Sequence, residues 1–247
     1  MPLLAHLREA RNRALWALGG VVVAAVGGWL LYPFIIDAMS DPVTNLTADG
    51  RAAALNFSAV ATSFDMKIKV SLFAGVILAS PWWLYQIWAF ISPALTSRER
   101  WMSVGFIGAA TPLFLTGASL AWLVLPRAVQ FLTDFTPESG VNFIDAQMYL
   151  SFVMRLVLGF GIAFTLPVVM VGMALAGIVR ARTWLGGWRW AVVLIFTFAA
   201  MATPTTDAVT MFALAIPMLA LYFGAVGICA LIDRRRDRRI EADLEAG

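Results

Sequence analysis

The chain has 247 residues, 61% of them hydrophobic and only 13% charged, with a formal net charge of +3. Soluble domains carry about 25% charged residues and about 45–50% apolar ones, so this composition excludes an ordinary water-soluble globular protein. A single cysteine, Cys229, and a single histidine, His6, exclude an internal disulfide and a Cys/His metal cluster.

In chain order, Arg8, Arg11 and Arg13 precede an apolar stretch from Ala14 to Tyr32. That stretch exceeds a signal-peptide core and reads as a retained first span. Further spans are predicted at Val70–Ile91, Met102–Leu125, Leu156–Val179, Trp190–Thr203 and Ala208–Ile232. Each needs roughly 20 apolar residues to cross a bilayer, so six spans consume nearly the whole chain. The expected organisation is one transmembrane domain over residues 1–232 and a charged cytoplasmic tail over 233–247. Thr203, Pro204, Thr205, Thr206 and Asp207 read as the turn of a tight last hairpin. The interval from Arg189 to Asp207 rises only about 27 Å, which makes the fifth span short.

Basic residues set the orientation. Arg8, Arg11, Arg13, Arg98, Arg100, Arg180, Arg182, Arg189 and the run from Arg234 to Arg239 fall on one side. Asp37, Asp41, Asp49, Asp65, Asp134, Glu138, Asp145 and Asp207 fall on the other. The positive-inside rule makes the arginine side, with both termini, cytoplasmic. Trp82, Trp83, Trp88 and Trp101, then Trp184, Trp188 and Trp190, sit where interfacial aromatic belts are expected. Pro81, Pro112, Pro167 and Pro217 each remove a backbone donor, so kinked helices are expected. The predicted fold is an all-α polytopic membrane protein. Its six kinked transmembrane helices form a curved, concave wall, the fifth and sixth being short.

Catalytic chemistry finds little support. The lone histidine lies outside every span, no Asp or Glu lies mid-span, and no phosphate-binding loop occurs. These absences argue against a hydrolase, and equally against an ion-coupled transporter, which carries ionisable residues within its spans. Arg155, just inside the fourth span, reads as snorkelling to the outer interface, or alternatively as pairing with Asp207. Two cytoplasmic carboxylates remain. Glu9 sits among arginines, and Glu99 lies between Arg98 and Arg100. They either balance those arginines or hold a cationic ligand, for which a guanidinium is the best geometric match. Glu99 also completes a capping box with Thr96.

The motif His6-Leu7-Arg8-Glu9-Ala10-Arg11, followed by Arg13, resembles the N-terminal motif of the TatC family, the signal-receptor subunit of the twin-arginine translocase. Ala79-Ser80-Pro81, the run from Leu84 to Leu95, and Glu99-Arg100 resemble that family's most distinctive segment. Phe164, Leu166, Pro167 and Val168 are similar to another of its motifs, and Thr203-Pro204, Asp207, Ala215-Ile216-Pro217 and Tyr222 to its last hairpin.

The resemblance implies a non-enzymatic receptor in a prokaryotic cytoplasmic membrane that binds twin-arginine signal peptides of folded cargo. It implies Glu9, Arg11, Phe90 and Glu99 as the signal-binding residues. Pro42, Lys69, Pro81, Gln86, Thr165, Pro167 and Asp207 are the implied assembly and structural positions. The implied partners are single-span Tat subunits of the TatA and TatB type in a homo- or hetero-oligomer within membrane lipid. No cofactor, metal or nucleic acid is implied. Gly75, Gly159 and Gly161 are candidate small-residue contacts for partner helices. The chain departs from the family at Thr165, where a glutamate is frequent, and at Phe223, where another glutamate is common. A small-solute secondary transporter or channel, and a purely structural scaffold, are the competing readings.

Overall fold

The computed structural model describes residues 3–48, 53–57, 60–91, 100–133, 142–202 and 208–245. Its helices are α1 (Leu3–Ala48), α2 (Val60–Leu78), α3 (Ser80–Ile91), α4 (Arg100–Thr133), α5 (Ala146–Leu175), α6 (Ala181–Gly186), α7 (Trp188–Ala202) and α8 (Ala208–Glu245). Two short strands, β1 (Ala53–Asn56) and β2 (Asn142–Asp145), pair in parallel with Ala53 opposite Asn142.

Among the described residues, α1, α4, α5 and α8 are each long and apolar enough to cross a membrane. The pair α2 and α3 makes a further span bent by 62°, and α7 is a shorter apolar helix. Large side chains such as Val23, Leu30, Phe34, Leu123 and Trp190 stand exposed on these helices. Lipid is the medium that tolerates such surfaces, because every backbone group is satisfied inside its own helix. The chain is an all-α multi-pass membrane protein.

Several helices outrun their predicted spans. At 46 residues α1 is about 69 Å long, more than twice the roughly 30 Å hydrocarbon core. Pro33 and Pro42 lie inside it without ending it. Ser40 Oγ donates to the Ile36 carbonyl at 2.7 Å, a back-bond that accompanies helix bending. The fifth span is short as expected, 15 residues in α7. The sixth is not: α8 runs for 38 residues, straight through the change from apolar to charged sequence after Ile232. The physical reason is that Arg, Asp, Glu, Ala and Leu all accept a helix, and no Gly or Pro follows Ile232 until Gly247.

The break between α2 and α3 falls at Ala79, just before Pro81, which has no N–H to offer the preceding turn. The Trp83 indole N–H donates to the Val76 carbonyl at 2.9 Å, supplying a partner in the turn before the break. The Trp82 indole N–H donates to the Trp16 carbonyl of α1, also at 2.9 Å. Trp88 is no belt residue. It is 1% exposed and stacks on Phe106 of α4 with centroids 4.3 Å apart.

The chain divides into two compact units, Met1–Gly161 and Ile162–Gly247. In the first, α1 lies against α2 through small residues. A Cβ at Gly75 would meet the Val21 carbonyl at 2.7 Å, and one at Gly28 would collide with Ser71 O and Ala74. Gly161 gives its space to the Phe114 ring. Gly75 and Gly161 are therefore used within the chain, which corrects their reading as partner-helix contacts. In the second unit, Met170, Tyr222, Ala225 and Val226 form a core with Trp184, Ala191 and Ile195 packed on it. A smaller cluster joins Ala174, Ala181 and Cys229.

Candidate functional site

The first three turns of α1 place His6, Glu9 and Arg13 at i, i+3 and i+7, one face of a helix. Glu9 Oε1 accepts from Arg13 Nε at 3.0 Å and from Arg13 Nη2 at 2.9 Å. An acid four residues ahead of a base is the favourable order on a helix. Both side chains are about a quarter exposed, so the guanidinium is held partly out of water. The His6 ring stacks on Phe90 of α3, with centroids 4.6 Å apart and planes 24° from parallel.

The His6–Phe90 stack brings the ends of α1 and α3 together, so Glu9 and Phe90 belong to one surface. Arg11 does not share Glu9's face. Two residues along a helix is about 200° of rotation, and Arg11 is exposed, contacting Asn12 at 3.4 Å. Glu99 and its capping box lie outside the described residues. The sequence reading missed His6 as the link to α3. The i, i+3 spacing of His6 and Glu9 was the available signal.

The other positions disperse. Pro42 is buried in α1, and Gln86 is 7% exposed on α3, one turn before Phe90. Pro81 is exposed in the first turn of α3, where a missing N–H costs least. Lys69 Nζ lies 2.6 Å from Asp65 Oδ2, and neighbouring Lys67 sits 4.3 Å above the Trp29 ring. Thr165 is buried, and its hydroxyl donates to the Ile162 carbonyl at 2.7 Å, so it bonds back along its own helix. Pro167 is buried in α5. Asp207 lies outside the described residues. Arg155 is exposed and donates to the Ser151 carbonyl at 3.1 Å.

The first unit also holds an apolar cleft of about 490 Å³, lined by Leu31, Phe34, Phe73, Ile77, Leu115 and Trp122 among others. The arrangement is thus a half-buried carboxylate already holding a guanidinium, an aromatic stack beside it, and an apolar cleft elsewhere in the same unit. It suits recognition of a ligand that is both basic and apolar.

The fold defines a polytopic helical membrane protein. The profile of the family described as Sec-independent protein translocase protein (TatC) matches residues 5–217. A TatC protein of Xylanimonas cellulosilytica is 53% identical over 240 residues, covering 97% of this chain and 87% of the relative. One from Rothia mucilaginosa is 40% identical over 242 residues, covering 97% and 83%. A solved structure described as "Crystal Structure of Twin Arginine Translocase Receptor- TatC" superposes with a TM-score of 0.76 at 31% identity. It covers 92% of this chain and 99% of that one. The chain belongs to the TatC family of Sec-independent protein translocase proteins.

Proposed function

We propose that this translocase component receives twin-arginine signal peptides at the cytoplasmic face of a prokaryotic inner membrane and scaffolds assembly of the translocation complex. One observation carries the reading: Glu9 already holds an arginine side chain, with both contacts falling on Oε1. A signal guanidinium would exchange with Arg13 or bind Oε2, with Glu99 as the second acidic group. Such charge-assisted bonds contribute about 1.5–3 kcal/mol each. Phe90, stacked on His6, would flank the bound arginines. The apolar part of the signal would follow the helices of the first unit, where the 490 Å³ cleft offers an apolar seat. Pro42, Lys69, Pro81, Gln86, Thr165, Pro167 and Asp207 are proposed to serve architecture and assembly with single-span Tat subunits. Arg11, on another face of α1, would act on the signal's flanking residues.

Photo-crosslinkers at positions 9, 90 and 99 test this directly. They should capture a twin-arginine signal peptide and capture its double-lysine version less. Full export of twin-arginine cargo by Glu99→Gln would remove that residue from the proposal. Crosslinking that ignores the arginine pair would remove the receptor role.

A further inference from the structure

The second unit carries a feature that signal recognition does not use. At the end of its apolar segment α8 continues as helix through Arg234, Arg235, Arg236, Arg238 and Arg239. A cleft of about 280 Å³ opens there, lined by Ala174, Leu175, Ile232, Arg235 and Arg236. Three apolar side chains and two arginines share its lining.

One of these arginines packs beside a turn. Gly177 adopts φ +72, and a Cβ at that position would overlap the Arg236 guanidinium. The positive φ is what favours glycine there. Asp233, the nearest acid on α8, is engaged elsewhere: its Oδ2 accepts the Ala181 N–H at 2.7 Å. It therefore fixes the loop between α5 and α6 against α8. Asp237 and Glu241 lie further along α8 and do not line the cleft.

We propose that this cleft binds an anionic phospholipid, its phosphate on Arg235 and Arg236 and the start of an acyl chain against Ala174, Leu175 and Ile232. Along α8 the lining passes from Ile232 to Arg235 and Arg236, apolar and then doubly cationic, which repeats the order of groups along such a lipid. The position supports it, since α8 changes from apolar to charged sequence at this level, where a membrane ends. Arginine forks match phosphate oxygens bidentately, and basic clusters just beyond a spanning helix attract anionic headgroups. A free phosphate would leave the apolar lining unused.

Native mass spectrometry of the detergent-purified full chain can test this, with palmitoyl-oleoyl phosphatidylglycerol and phosphatidylcholine as probes. R235Q/R236Q should lower phosphatidylglycerol retention about thirtyfold, while phosphatidylcholine retention stays unchanged. The charge-matched R234Q/R238Q should lose less than about threefold. Equal losses in the two double variants would reduce the cleft to diffuse attraction and overturn the proposal. Inorganic phosphate binding as tightly as the lipid would overturn the lipid assignment. Protection of the Ala181 amide from hydrogen exchange reports whether the loop survives. If R236Q disturbs it, R235Q alone must still lower retention about fivefold.

Discussion

The Tyr149 hydroxyl of α5 donates to the Met39 carbonyl of α1 across 3.0 Å, and both residues are buried. The bond ties two helices far apart in sequence at a point where water does not reach. Tyr149→Phe removes the hydroxyl and leaves the ring. The expected cost is about 0.5–1.5 kcal/mol, read as a Tm fall of about 1–6 °C in detergent. An unchanged Tm would mean the bond contributes nothing net.

Glycines on α1 and α2 make opposite predictions. Gly75→Val drives a side chain into the backbone of α1 near Val21 and Ala25, so folded protein should fall severalfold by size-exclusion yield. Gly19 has nothing within 4 Å of a built Cβ. Gly19→Ala should therefore raise stability by about 0.5–1 kcal/mol, as expected for an open helical position. Equal behaviour of the two variants would refute the close crossing of α1 on α2.

Glu9→Gln keeps the shape of the side chain and removes its charge. Affinity for a twin-arginine signal peptide should drop about ten- to a hundredfold, while a double-lysine peptide changes less. Fluorescence anisotropy with both labelled peptides gives the comparison. An equal change for both peptides would leave Glu9 as a general attractor of positive charge.

Asp233 caps the start of α6 from another helix. Asp233→Ala should cost about 1 kcal/mol locally, raising hydrogen exchange at the Ala181 amide roughly fivefold. Amides in α4 should be unaffected.

Topology offers a separate check on orientation. Cysteines introduced at positions 49 and 182 should differ in labelling by a membrane-impermeant maleimide. Position 49 should react in intact cells and position 182 only after lysis. The reverse pattern would invert the assignment of the cytoplasmic face.

Apolar runs broken by arginines located the spans, because in lipid a spanning segment has few other solutions. Their ends were not legible. Asp37, Ser40, Asp41 and Thr44 look like loop residues, yet α1 continues through them, packed through buried Met39, Pro42 and Val43. Hydropathy marks where lipid begins and not where a helix stops. The bend at Ala79 was foreshadowed by Pro81, whereas Trp88 was misplaced because a tryptophan near a span end serves an interface or a core equally well in sequence. The motif named Glu9, Phe90 and Arg11 together, whereas the ring stack that brings the ends of α1 and α3 together, and the rotation about α1 that takes Arg11 to another face, follow only from the fold. Thr165 illustrates the limit: its type allowed two hydrogen-bonding directions, and only the fold selects the Ile162 carbonyl.

The parallel pairing of β1 with β2 has a consequence for biogenesis. Each strand sits between two helices, β1 between α1 and α2 and β2 between α4 and α5, and the two run in the same sense. Their crossover is not a local turn but a full excursion through α2, α3 and α4. While the ribosome is still making α4, the first strand has nothing to pair with. The latch between these two segments can close only once residue 145 has been made, so nascent chains halted earlier should leave it open to protease.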